Sequence, residues 1–200
     1  MNVVFDIGNV LIHWEPRALY RKIFASEDEV ECFLGNVCTS DWNLEQDRGR
    51  SFTEAVAEAT ARHPDHAEAI AAYHHRWAET IVGPIAGTVA ILEELAARDV
   101  PLYAITNWHQ DKFRETRLRY PFLGLFRDIV VSGDERLVKP DPAIYELLLQ
   151  RNGLAASSSL FIDDSLKNVK GADAVGMTGV HFTTPEALRV TLTGLGLLQD

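Results

Sequence analysis

The chain has 200 residues and a mass of 22.3 kDa, enough for one substantial hydrophobic core with a modest insertion but short for two full domains. With 46% hydrophobic and 24% charged residues it can bury enough apolar surface to offset the entropy of ordering, which excludes wholesale disorder. A formal net charge of −10 repels polyanions, arguing against non-specific binding to nucleic acid or an anionic membrane, so a small anionic substrate would need a local positive site.

The N-terminus runs from Met1 into a short apolar strand, Asn2 to Ile7, without the basic start of a secretory signal. From Pro16 to about Ile81 the pattern is helical: a turn over Arg17 to Phe24, a segment led by Ser26 with Glu29 closing a capping box, a helix over Ser51 to Ala61, and another over Asp65 to Thr80. Cys32 and Cys38, the only cysteines, fall in this stretch without a second ligand pair, so neither zinc nor a disulfide framework follows. Gly83, Pro84 and Gly87 suit a hinge where the chain leaves the helical stretch. Strands then follow at Val100 to Ile105, Asp128 to Ser132, Ser159 to Ile162 and, more weakly, Gly179 to Phe182. Helical patterns precede the second, fourth and fifth strands, over Thr88 to Arg98, Ala143 to Asn152 and Asn168 to Val175, and a final amphipathic helix runs from Ala187 to Leu198.

Alternation of strand and helix predicts an α/β fold, a doubly wound parallel sheet covered on both faces. Residues 1–15 and 82–200 form its Rossmann-like core, with 16–81 inserted after the first strand as a helical cap. No apolar run is long enough to span a membrane, and the expected location is the cytoplasm.

Open parallel sheets bind ligands beyond the carboxyl ends of their strands. The polar residues found there are Asp6, the pair Thr106 and Asn107, Lys139 with Pro140, and the pair Asp163 and Asp164. Any one of these acids could be a helix cap or a solvated turn. Three carboxylates converging on one partly buried spot must instead be protonated, paired with Lys139 or bound to a cation. Oxygen ligands without His or Cys favour Mg²⁺ over zinc.

The segment Val3-Val4-Phe5-Asp6-Ile7-Gly8-Asn9-Val10-Leu11, the Thr106-Asn107 pair, Lys139-Pro140 and the run Phe161 to Asn168 resemble the four ordered motifs of the haloacid dehalogenase-like hydrolase superfamily. The first and fourth motifs look like those of its sugar-phosphate phosphatase branch with a small helical cap. The resemblance implies strand order 3-2-1-4-5 and a Mg²⁺-dependent phosphatase acting on a small phosphorylated metabolite, a hexose 1-phosphate favoured. By the same resemblance Asp6 is the nucleophile, forming an aspartyl-phosphate. Asp6, the Gly8 carbonyl and Asp164 hold Mg²⁺, with Asp163 either a direct ligand or an acceptor for metal-bound water. Thr106, Asn107 and Lys139 hold the phosphoryl group, and Asn168 fixes its loop.

The sequence departs from the family pattern at Gly8, where most phosphatases of the superfamily carry a second aspartate as general acid. Such help is worth roughly a hundredfold or more. Its absence leaves three answers: a substrate with a good leaving group such as an anomeric phosphate, an acid borrowed from the cap or from water, or a slow enzyme. A metal-independent 2-haloacid dehalogenase and a catalytically silent binding member are the alternatives. His13, Trp14, Trp42 and Trp108 are candidates to line the substrate pocket, although for Trp42 burial between helices is the stronger reading. Arg48 is expected in solvent, and of His74 and His75, in a helix shared with Trp77, one is expected to face the core and the other water.

Overall fold

A computed structural model describes residues 1–199. Five parallel strands form the central sheet: β1 (Asn2–Phe5), β4 (Leu102–Thr106), β5 (Asp128–Val131), β6 (Ser159–Asp163) and β7 (Thr178–His181), in the spatial order β5-β4-β1-β6-β7. Counting only these strands, that order is the expected 3-2-1-4-5. β1 at the centre is buried on both faces, and its side chains alternate between two packed layers as period-two geometry requires. Val3 and Phe5 point into one layer with Ile91, Leu92, Leu188 and Leu192, whereas Val4 joins Ile144, Leu148 and Ala172 in the other. The first layer's helices are therefore α6 (Ala86–Ala97) and α11 (Pro185–Gly194), and the second's are α9 (Pro142–Asn152) and α10 (Leu166–Ala174).

Between β1 and β4 the chain leaves the sheet. Two short strands, β2 (Ile12–Trp14) and β3 (Ile81–Pro84), pair antiparallel where it departs and returns. The stretch read as a hinge around Gly83 and Pro84 is therefore partly strand, its partner some 70 residues earlier in sequence. Between these strands lie α1 (Pro16–Tyr20), α2 (Glu27–Asn36), α3 (Ser40–Asp47), α4 (Phe52–Arg62) and α5 (Ala67–His75). The Ser26–Glu29 capping box forms, Ser26 Oγ accepting from the Glu29 amide at 3.3 Å and Glu29 Oε2 from the Ser26 amide at 3.1 Å. Ser51 caps α4 by accepting from the Glu54 amide.

The single helix expected over Asp65 to Thr80 is instead α5 flanked by two 3₁₀ turns, Pro64–His66 and Trp77–Thr80. The helix ends where the Arg76 amide donates to the Ala72 carbonyl, and the second turn is closed by Thr80 Oγ1 donating to the Trp77 carbonyl at 2.8 Å, with Trp77 buried. The helical layer is held by aromatic packing: Tyr20 on Phe33 at 4.6 Å between centroids, Trp42 edge-on to Tyr73 at 5.2 Å, and Tyr73 on Trp77 at 5.3 Å. These residues belong to the same continuous core as one face of the sheet.

The remaining helices are short: α7 (Gln110–Arg117) after β4 and α8 (Ser132–Glu135) after β5. α8 faces the C-terminal end of α3, where two glycines let the backbones approach. Gly49, just past α3, has φ +99°, and a Cβ there would lie 2.9 Å from the Gly133 carbonyl oxygen. A Cβ on Gly133 would in turn lie 2.6 Å from the Gln110 amide nitrogen.

Candidate active site

β1 ends at Phe5, and the next residues are bent into a tight loop by their own backbone. The amides of Leu11 and Ile12 both donate to the Ile7 carbonyl at 2.9 Å, and Asn9 takes φ +54°, a left-handed conformation that asparagine tolerates. Asn9 Oδ1 accepts from the Trp14 amide at 3.0 Å, fixing where Trp14 enters the helical layer. This loop leaves Asp6 at the tip of the central strand, only 7% exposed.

Asp6 Oδ1 accepts from the Ile7 amide at 2.7 Å and lies 2.8 Å from Lys139 Nζ. Lys139, 2% exposed, also reaches Asp163 Oδ2 at 2.7 Å, so one ammonium bridges two buried carboxylates. It is delivered by the start of α9, where Asp141 caps the helix and Pro142 opens it. Asn107 clamps the same loop from β4: its Oδ1 accepts from the Lys139 amide at 2.8 Å and its Nδ2 donates to the Lys139 carbonyl at 3.1 Å. The Asn107 side chain thus holds the lysine's backbone in place.

Asp163, fully buried, is saturated from several sides. Besides Lys139 it accepts from the Ser165 amide at 2.7 Å, and Asn168 Nδ2 lies 3.1 Å from both of its oxygens. Asn168 therefore fixes this carboxylate. Asp164, next in sequence, is exposed. Carboxylate oxygens of Asp6, Asp163 and Asp164 all lie within 4.8 Å of one another.

The electrostatics follow. Burial, reinforced by the Asp163 charge, raises the pKa of Asp6 well above the carboxylate range even though Lys139 pulls it down. Asp164 is raised as well, by desolvation first and by the Asp163 charge second. For Lys139 desolvation acts downward, but the charges of Asp163 and Asp6 outweigh it and the ammonium is retained. Three acids around one ammonium leave an excess of negative charge, and an all-oxygen donor set fits a hard divalent cation.

Thr106, at the end of β4, is 1% exposed and its Oγ1 has no hydrogen-bond partner among the described residues. A buried hydroxyl without a partner is costly unless a ligand or water supplies one. Close by, Gly8, Trp14, Asn43, Asp47, Trp77, Asn107 and Trp108 line a cavity of about 50 Å³ between the sheet's end and the helical layer. Three of the chain's four tryptophans are in that wall, and the indole N–H of each is buried without a partner among the described residues. Such a wall can hold apolar ligand surface and also donate hydrogen bonds to oxygens.

The structure therefore brings together Asp6, Lys139, Asp163 and Asp164, with Asn107 on the lysine's loop, and sets Gly8, Trp14 and Trp108 beside the cavity. Two other candidates stand apart. His13 is exposed in β2, opposite Gly83, and does not line this cavity. Trp42 packs inside the helical layer against Tyr73 and is not in the cavity wall either, in line with the burial reading. Arg48 lies beside Glu45 with its side chain 44% exposed; His74 stacks on Phe52 at 5.0 Å, while His75 is exposed.

Two polar residues of the wall carry no role in the sequence reading: Asn43 and Asp47, one helical turn apart on α3. Both are 7% exposed, and Asn43 Nδ2 donates to Asp47 Oδ2 at 2.9 Å. The signal available is this i, i+4 polar pair beside Trp42, in a helix capped by Thr39.

Comparison with known proteins agrees with this geometry. Residues 36–182 match the model of the family described as haloacid dehalogenase-like hydrolase. A sesquiterpene phosphatase from Aspergillus oryzae is 29% identical over 180 residues, covering 90% of this chain and 88% of its own. A phosphoglycolate phosphatase from Pectobacterium atrosepticum is 29% identical over 192 residues, covering 90% and 79%. Among solved structures, a putative β-phosphoglucomutase from Thermotoga maritima superposes with a TM-score of 0.73 at 20% identity, over 98% of this chain and 100% of its own. A wild-type HAD family enzyme from Bacteroides thetaiotaomicron, in complex with magnesium and inorganic phosphate, gives 0.68 at 18% identity, over 92% and 94%. With its family model spanning most of the sheet and its strand-end acids gathered around one buried lysine, the chain belongs to the haloacid dehalogenase-like hydrolases.

Proposed function

We propose that the protein is a Mg²⁺-dependent phosphatase that hydrolyses a small phosphate monoester through an aspartyl-phosphate on Asp6. The observation that carries this reading is the bridge of Lys139 between Asp6 and Asp163, with Asp164 beside it. Asp6 Oδ1 is tied to Lys139 and to the Ile7 amide, which leaves Oδ2 for attack on phosphorus. The phosphatases among its relatives support the phosphate ester as substrate class.

Asp6, Asp164 and the carbonyl of Gly8 would hold the cation, which supplies charge neutralisation that lets a dianionic ester approach a carboxylate. Asp163, already accepting from Lys139, Ser165 and Asn168, anchors the lysine and is not itself a ligand. Lys139 holds an equatorial phosphoryl oxygen, with the partnerless hydroxyl of Thr106 donating to another. Asn107 keeps Lys139 in position through its backbone clamp. The helices of residues 16–81 act as a cap, and Trp77 from within it and Trp14 at its root face the substrate. The apolar ring faces and indole N–H groups of that wall match a polyhydroxylated ring in chemistry, which supports a sugar phosphate, and the cavity of about 50 Å³ takes only part of such a ring.

The test is a panel of sugar phosphates, phosphoglycolate and 4-nitrophenyl phosphate, each with MgCl₂ or with EDTA. Phosphate release that requires Mg²⁺ and disappears in Asp6→Asn is expected. Turnover indifferent to EDTA, or unchanged in Asp6→Asn, overturns the proposal.

A further inference from the structure

Gly8 lacks the carboxylate that would stand beside the nucleophile, and there is room for a Cβ at its place: among the described residues one built on Gly8 meets nothing closer than Trp108 at 4.0 Å. That space belongs to the small cavity, and the carboxylic acid in the cavity wall is Asp47, from α3. Resting on the phosphatase reading above, we infer that Asp47 is the acid–base residue of this site, delivering from the helical layer the proton that most phosphatases of the superfamily deliver from the nucleophile's own loop.

Several features build Asp47 for that task. It is 7% exposed, so it is screened from bulk water. Its backbone is fixed from the sheet side, where Ser132 Oγ donates to its carbonyl at 2.6 Å. Its side chain is fixed from within α3, where Asn43 donates to Oδ2, and Asn43 is in turn held by the Tyr73 hydroxyl, which donates to its Oδ1 at 2.8 Å. A chain from Tyr73 through Asn43 to Asp47 therefore orients one carboxylate oxygen and leaves Oδ1 without a side-chain partner among the described residues, the His109 backbone amide being a further group that hydrogen-bonds this carboxylate. The groups that act on it electrostatically are few. Burial raises its pKa from the ordinary carboxylate value to about 7, against the opposing pull of the His109 backbone amide and the Lys139 charge. A carboxyl group with that value is protonated in part of the population at neutral pH and can both give and take a proton.

The proton inventory closes. In the first half-reaction Asp6 Oδ2 bonds to phosphorus, the ester P–O bond breaks, and the Asp47 proton passes to the leaving oxygen, releasing an alcohol. In the second, the Asp47 carboxylate takes a proton from water as the water oxygen bonds to phosphorus and the Asp6–phosphorus bond breaks. Orthophosphate leaves, and both aspartates return to their starting states. With an acid in place the substrate need not have a good leaving group, so ordinary alkyl phosphates fall within reach.

The experiment is rapid-mix kinetics of Asp47→Asn on 4-nitrophenyl phosphate with MgCl₂. Its good leaving group needs little help in the first step, whereas the second step still needs the base. The expected trace is a burst of 4-nitrophenolate close to one equivalent, then turnover about a hundredfold or more below wild type. The burst also reports an intact fold and nucleophile. Adding Gly8→Asp to Asp47→Asn should raise turnover at least about tenfold by returning a carboxylate to the open space. Wild-type turnover in Asp47→Asn, slow turnover without a burst, or a double variant no faster than Asp47→Asn each overturns the assignment. Failure of the phosphatase reading looks different: wild type then releases no 4-nitrophenolate, or Asp6→Asn releases it undiminished.

Discussion

Ser132 and Asp47, 85 positions apart, are joined by a 2.6 Å hydrogen bond from the Ser132 hydroxyl to the Asp47 carbonyl, and the same hydroxyl accepts from the Trp108 amide at 2.8 Å. One buried side chain thus ties the end of β5 to the end of α3 and to the loop after β4. Ser132→Ala leaves a buried carbonyl and a buried amide without this partner, which costs about 1–3 kcal/mol. Urea unfolding should show that loss, and kcat should fall with it, because Asp47 and the Trp108 loop beside it lose their shared support.

Lys139→Met should be more damaging. It leaves Asp6 and Asp163 buried without their shared cation, and breaking a buried ion pair from one side costs about 3–5 kcal/mol. The loss is expected to be largest at alkaline pH, where the buried Asp6 left behind carries charge, and to shrink in acid. Equal destabilisation at pH 5 and pH 8 would contradict this account.

Asp47 gives a pH dependence with a definite sign. Its pKa is about 7 in the folded protein against an unfolded value near 3.8, so the folded state binds the proton more tightly. Stability from this group is fully present below about pH 4 and falls as pH rises toward and through 7. Asp47→Asn, which keeps the shape and carries no charge, should therefore raise the melting temperature relative to wild type at pH 8 and leave it nearly unchanged at pH 4. In activity the first half-reaction needs the protonated acid, so kcat/KM should decline as pH rises through about 7. That limb should vanish in Asp47→Asn.

Cation binding can be read without turnover. Desolvation and mutual repulsion raise the pKa values of Asp6 and Asp164, and a bound divalent cation relieves both effects. Added MgCl₂ should stabilise the protein by about 2.7 kcal/mol at about one hundred times its dissociation constant. Asp164→Asn should abolish the shift in melting temperature.

Gly49→Ala tests the seam between α3 and α8. The substitution places a Cβ 2.9 Å from the Gly133 carbonyl on a backbone with φ +99°, so something must move. The expected result is a loss of about 1–3 kcal/mol, with activity falling further than stability because α3 carries Asp47. Full activity in a stable Gly49→Ala protein would show that the docking of α3 is not needed.

Most of the sheet is readable from sequence because each core strand is a short apolar run ending in a polar residue, the pattern of a buried parallel strand. Boundaries differ by a residue or two, as at Leu102–Thr106, where Pro101 delays the start. Asp6 and Asp163 are legible for the same reason, since strand-end position is a sequence property, whereas Lys139, beyond α8 at the start of α9, is legible through its Lys-Pro pair. The β2–β3 pair is not, since three or four residues with a partner across the whole helical stretch carry no local signal. α3 escapes because Ser40–Asp47 has little amphipathic contrast, its buried face including Asn43, Gln46 and Asp47. Asp47 goes unseen with it. No rule about strand ends reaches a residue whose role depends on a helix folding back over the sheet.

The tight backbone approach of Gly49 to Gly133 has one more implication. With Asp47 on α3 and Asp6 just past β1, the spacing of acid and nucleophile is set by that seam and not by the nucleophile's own loop, so one backbone contact governs both halves of the reaction at once.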